Sequence, residues 1–90
     1  MLRFEFDPAK AAENLRKHGV PLADAEGVFY DAPAIHAPDP DAVGEDRLVA
    51  VGLGSAAQLP VVIYTMRGEE VVRLISARHA TRREARAYAG

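Results

Sequence analysis

Apolar and charged positions alternate from the first residues. Leu2, Phe4 and Phe6 face one way and Arg3 and Glu5 the other, which predicts a half-buried strand. Asp7 then supplies a helix cap and Pro8 occupies the first helical position, where its missing N–H costs nothing. The helix is expected to run to Lys17 or His18, with Ala11, Ala12 and Leu15 as its apolar side and Gly19 as its left-handed stop. Lys10, Asn14, Lys17 and His18 fall on one polar stripe of that helix. Val20-Pro21 turns the chain into a second helix from about Leu22 to Phe29, burying Leu22, Ala25, Val28 and Phe29 and ending at Asp31-Ala32-Pro33.

The second half alternates with the period of a sheet. A short edge strand is expected over Ala34 to Ala37, then a stiff polar loop at Pro38-Asp39-Pro40-Asp41. Arg47 to Leu53 reads as a strand, and the β-branched run Pro60 to Met66 as a central one. Arg67-Gly68-Glu69-Glu70 is a hairpin turn into a last strand, Val71 to Ala77. Thr81-Arg82-Arg83-Glu84 fits a capping box that opens a short C-terminal helix. The predicted order is β-α-α-β-β-β-β-α. It describes an α+β domain, an antiparallel sheet with its helices on one face.

Composition narrows the class without changing the fold. Ninety residues predict one domain over 1–90, and 49% hydrophobic with 27% charged residues is ordinary for a globular chain. There is no cysteine, hence no disulfide framework and no thiol nucleophile. The N-terminus carries no apolar signal segment and no apolar run reaches membrane length, so a cytoplasmic protein without membrane contact is expected. A net charge of −2 argues mildly against nucleic acid, but the charges are segregated. After Val71 the chain carries Arg73, Arg78, Arg82, Arg83 and Arg86 against Glu84 alone, with His79 among them. One basic surface on a weakly acidic protein is the consequence.

Several motifs fall away on spacing. Gly52-Leu53-Gly54-Ser55-Ala56-Ala57 matches a dinucleotide fingerprint, but a strand rather than a helix follows it. Asp39 to Gly44 resembles the start of a calcium loop, yet Val43 and Ala50 stand where oxygen ligands are required. His18, His36 and His79 show no metal-ligand spacing, so neither metal nor cofactor is expected. Ser76 and His79 lack an acidic orienter, and a serine at a strand end is more often a backbone partner.

What remains is chemistry suited to phosphate. Arg82 and Arg83 sit in a helix first turn, where cations are disfavoured, and Arg82 and Arg86 repel at i,i+4. Such a pole invites an anion, and phosphate suits both helix N-termini and arginine forks. A solvated arginine face is the plainer alternative. Metal-free RNA cleavage needs a group to take the 2′-OH proton, one to protonate the leaving 5′-oxygen, and cations for the crowded phosphorus. Lys10, Lys17, His18, Arg47, Arg73, Arg78, His79, Arg82, Arg83 and Arg86 contain those groups. Arg73 shares its strand face with Val71 and Ile75 by simple alternation and has a structural as well as a phosphate reading, whereas Arg78 is expected to face solvent.

Four blocks in order carry a family resemblance across essentially the whole chain. They are Phe4-Glu5-Phe6-Asp7 with Lys10, Asn14 and Lys17-His18-Gly19-Val20; Gly44-Glu45-Asp46-Arg47; Gly52; and Arg73-Leu74-Ile75-Ser76-Ala77-Arg78 with Ala80, Thr81, Glu84 and Tyr88. This pattern resembles the BrnT toxin family. The resemblance implies a RelE-like fold and a ribonuclease toxin of a type II toxin–antitoxin pair. Its partner would be a BrnA-like ribbon-helix-helix antitoxin, through which alone the complex would reach operator DNA and repress its own operon.

By motif match the functional positions would be Lys17 and His18, Glu45 and Arg47, and Arg73 and Arg78. On this reading Arg47 and Arg78 clamp the scissile phosphate, while Arg82 and Arg83 guide the RNA backbone. His18 or His79 moves protons, Lys10 or Lys17 adds charge, and Glu45 is base or orienter of Arg47. Phe6 stands where many members have tryptophan, His79 where lysine is frequent, and Asp41-Ala42-Val43 where many carry a His-Ser pair. The alternatives are a non-catalytic co-repressor subunit of a DNA-binding partner and an RNA-binding module without chemistry.

Overall fold

The structure is a computed structural model and describes residues 1–42 and 46–90. Its elements follow the predicted order: β1 (Arg3–Glu5), α1 (Pro8–His18), a 3-10 helix (Leu22–Tyr30), β2 (Ile35–Pro38), β3 (Leu48–Val51), β4 (Pro60–Arg67), β5 (Val71–His79) and α2 (Arg82–Ala89). The strands form one sheet in the order β1-β5-β4-β3-β2. From β2 to β5 it is the expected antiparallel meander. β1 departs from expectation by lying parallel to β5, Arg3 beside Val71 and Glu5 beside Arg73, so the sheet is mixed. Alternation of Leu2, Phe4 and Phe6 reports a half-buried strand but not the direction of its neighbour.

Helices also cover both faces rather than one. The inner face carries Leu48, Ala50, Val62, Tyr64, Val72, Leu74 and Ala77, packed against Val20, Leu22, Ala25 and Val28. Leu22, Ala25 and Val28 recur every third residue, and a helix with three residues per turn sets all three on one line toward the sheet. Gly27 lets that helix approach the 54–55 loop, since a Cβ there would lie 2.5 Å from the Ser55 nitrogen. A Cβ on Gly54 would likewise lie 2.8 Å from the Asp24 carbonyl oxygen, so this glycine of the nucleotide-like motif serves packing. α2 lies on the outer face, where Ala87 and Glu84 stand over Ile35, Ala37, Val49, Val51 and Val61. Its Tyr88 hydroxyl donates to Asp31 Oδ2 at 2.7 Å.

α1 has the expected ends. Asp7 Oδ1 accepts from the Ala9 N–H at 2.9 Å, and Gly19, at φ 70°, closes the helix by donating to the Leu15 carbonyl. Its buried side is different from the expected one. Ala12 and Leu15 are exposed, whereas Asn14 is buried. β1 pairs with β5 as far as Arg73, and Ala77 lies further along the same strand. There the Asn14 amide takes over the role of a strand, donating to the Ala77 carbonyl at 2.9 Å and accepting from its N–H at 3.0 Å. The same side chain donates to the Val20 carbonyl at 2.8 Å. Buried backbone groups need such partners, which places an asparagine where periodicity predicts solvent.

One irregularity shapes the outer face. Tyr64 pairs with Leu74 and Ile63 with Ser76, leaving Ile75 as an extra residue in a β-bulge. Arg73 therefore shares the outer face with Ser76 and Arg78, each opposite an outward residue of β4, while Leu74 and Ala77 stay inside. Among the described residues no helix is long and apolar enough to cross a membrane.

Candidate active site

The outer face of the sheet, between α1 and the start of β3, gathers the cations. An open groove of about 410 Å³ is lined by Lys10, Asp46, Arg47, Thr65, Met66, Arg73 and Ile75. β5 supplies Arg73 directly opposite Thr65 of β4, the residues before β3 supply Arg47, and α1 supplies Lys10. Beside it lies a cavity of about 200 Å³ between α1 and β5, lined by Lys10, Glu13, Asn14, Lys17, His18, Ile75 and Ser76. Lys10 and Ile75 border both spaces.

Carboxylates hold several of these cations in place. Glu5 Oε1 accepts from Arg67 Nη1 at 2.6 Å and from Arg73 Nη1 at 3.3 Å. The Arg67 hydrogen bond, seconded by Arg73, holds the Glu5 carboxyl below its ordinary range. Lys17 Nζ meets Glu13 Oε1 at 2.7 Å one helical turn away, and this contact lowers the Glu13 pKa. The Lys17 and Arg73 side chains remain 58% and 42% exposed, so these are surface ion pairs. Pairs so open to solvent are weak, so a phosphate can displace the carboxylate at little expense.

The remaining predicted residues form a second group around α2. Arg78 faces outward from β5, and its guanidinium grips Glu84 with Nη1 to Oε1 at 2.8 Å and Nη2 to Oε2 at 2.9 Å. Glu84 also closes the expected capping box, accepting from Thr81 N at 2.9 Å while its own N–H donates to Thr81 Oγ1. The Arg78 hydrogen bond, then that from the Thr81 backbone, lowers the Glu84 pKa to about 2, and the same contact raises that of Arg78. The anion drawn to this helix start is thus, in part, the chain's own Glu84. Arg82, Arg83 and Arg86 are exposed, and Arg86 Nε turns back to the Arg82 carbonyl at 3.4 Å. His79 pairs with Pro60 at the far end of β5 and lines neither space near Arg73.

The structure thus brings together Lys10, Arg47 and Arg73, with Lys17 and His18 adjoining, and keeps His79, Arg82, Arg83 and Arg86 apart. Glu45 lies outside the described residues. Sequence reasoning did not find Glu5, Glu13, Thr65, Ile75 or Ser76 as parts of the site. Glu5 alone left a signal, since alternation puts it on the polar side of β1. His36, exposed in β2, is bonded through Nδ1 to the Tyr64 hydroxyl at 2.8 Å and stands beside Phe29, an inner-face role.

Comparison with known proteins bears on the family and the fold. Residues 6–84 match the family model for the ribonuclease toxin BrnT of type II toxin–antitoxin systems. The crystal structure of the Brucella abortus ribonuclease toxin BrnT is similar to this chain with a TM-score of 0.72 at 29% identity. That match covers 91% of this chain and 100% of the other. No curated protein matches the sequence. With the family pattern spanning nearly its whole length and the fold shared, the chain belongs to the BrnT ribonuclease toxins of type II toxin–antitoxin systems.

Proposed function

We propose that the chain cuts RNA endonucleolytically without a metal ion, in the groove where Lys10, Arg47 and Arg73 converge. That convergence is the observation that carries the reading: three cations from three separate parts of the chain line one open groove on a protein of net charge −2. In the proposed reaction the 2′-OH attacks the adjacent phosphorus, the P–O5′ bond breaks, and a 2′,3′-cyclic phosphate and a 5′-hydroxyl result. Arg73 and Arg47 stabilise the charge on the non-bridging oxygens, and Lys10 adds a third positive charge. His18, in the adjoining cavity, is the imidazole nearest in arrangement to take or give a proton, with Lys17 beside it. Arg78 joins the site when a phosphate replaces Glu84 on its fork, and Arg82, Arg83 and Arg86 extend the basic surface along the strand.

Regulation on this reading follows the family. A BrnA-like ribbon-helix-helix antitoxin holds the toxin inactive, and the pair represses its own operon with the antitoxin as the DNA-binding member. The test is cleavage of cellular RNA by the isolated chain in EDTA, beside Arg73→Ala and Lys10→Ala variants. Wild type should yield products ending in cyclic phosphate, and each variant should lose about a hundredfold in rate. Equal cleavage by wild type and variants would place the chemistry elsewhere. Intact free and ribosome-bound RNA, from protein shown to be folded, would reject the nuclease reading in favour of a co-repressor.

A further inference from the structure

The cavity between α1 and β5 does more than adjoin the phosphate groove. We infer that it is a nucleobase subsite that selects guanine on the 5′ side of the cut. The inference rests on the reading above in one respect, that the neighbouring groove holds the phosphate attached to that nucleotide. Its volume is about 200 Å³, and it shares Lys10 and Ile75 with the groove, so one nucleotide can set its phosphate in one space and its base in the other.

The lining divides into wall and reader. Asn14 is committed by three hydrogen bonds to Val20 and Ala77, which use both of its amide donors and leave none for a ligand. Ile75, the extra residue of the bulge, gives an apolar floor for the flat face of a base. Ser76 offers a hydroxyl beside it. The reading groups are Glu13 and Lys17, held 2.7 Å apart with side chains 49% and 58% exposed.

Their chemistry is selective. An ionised carboxylate only accepts hydrogen bonds, and an ammonium only donates them. The Watson–Crick edge of guanine sets two adjacent donors, N1–H and N2–H, beside one acceptor, O6. Glu13 matches the two donors and Lys17 the acceptor. Uracil has one donor flanked by carbonyls, and cytosine and adenine each pair one exocyclic donor with a ring acceptor. Any of these three turns a lone pair toward one carboxylate oxygen. Single-stranded RNA is commonly read in this way, on an exposed base edge.

Binding of the four nucleoside 3′-monophosphates to the full chain, followed by calorimetry or NMR titration, tests this without requiring turnover. Guanosine 3′-monophosphate should bind about tenfold or more tightly than the other three, the discrimination of one good bidentate contact. Glu13→Gln replaces an acceptor by a donor and should bring the four affinities level. Arg73→Ala should weaken all four while leaving their ratios intact. Equal affinities in the wild type, no measurable binding of any nucleotide, or a guanine preference that survives Glu13→Gln would each overturn the subsite. If guanine is preferred but Arg73→Ala and Lys10→Ala change no affinity, the phosphate reading fails and the base subsite stands.

Discussion

Asn14 shows how far the identity of a residue can mislead when its partner is distant in sequence. It sits with Lys10, Lys17 and His18 on a stripe that looks solvated, yet it is buried and completes the hydrogen bonding of Ala77, 63 residues away. Replacing it with alanine strands the Ala77 N–H and carbonyl and the Val20 carbonyl in the interior. Each such group costs about 1–3 kcal/mol, so Asn14→Ala should lose at least about 3 kcal/mol in urea unfolding. A loss within error would mean that water reaches that edge. The cations of the site, by contrast, were visible from residue type alone. Their carboxylate partners were not, because Glu5 meets Arg73 across 68 residues and pattern within a single strand says nothing of that encounter.

Elements were legible where a local rule acts alone. The Asp7 cap, Pro8, the Gly19 stop and the Thr81–Glu84 box each depend on a few neighbouring residues, and each stands as expected. The parallel pairing of β1 and the placement of α2 depend on the whole chain and were not legible. α2 buries no residue of its own, and the Arg78–Glu84 fork and the Tyr88–Asp31 hydrogen bond hold it to the body. This makes its attachment sensitive to acid. The folded Glu84 pKa of about 2 lies below the ordinary 4.5, so its contribution is present above about 4.5 and fades as pH falls toward 2. Wild type should melt above Glu84→Gln at neutral pH, and the gap should close as pH drops from 4.5 to 2. A gap that stays constant over that range would show that the fork does not anchor the helix.

At the scale of the molecule, a net charge of −2 conceals a segregated surface. Lys10, Arg47 and Arg73 converge on one groove, and the arginines of α2 continue the same sign beyond Arg78. If those three cations each neutralise one phosphate, the logarithm of RNA affinity should fall against that of salt with a slope near −2, about −0.7 per contact for a single strand. Arg73→Ala should flatten that slope by about 0.7, and an unchanged slope would remove Arg73 from the phosphate contacts. The fold class followed from the order of elements, but the sidedness of this surface did not, because simple alternation miscounts β5 past Leu74. Deleting one residue from a sheet strand normally turns every later side chain over. Ile75 is supernumerary, however, and excising it restores a plain ladder in which Leu74 and Ala77 still point inward and Ser76 and Arg78 outward. The shortened chain should fold and melt cooperatively while losing the floor of both recesses and with it RNA cleavage. A single-residue excision would then separate the architecture of this toxin from its activity without altering one charge.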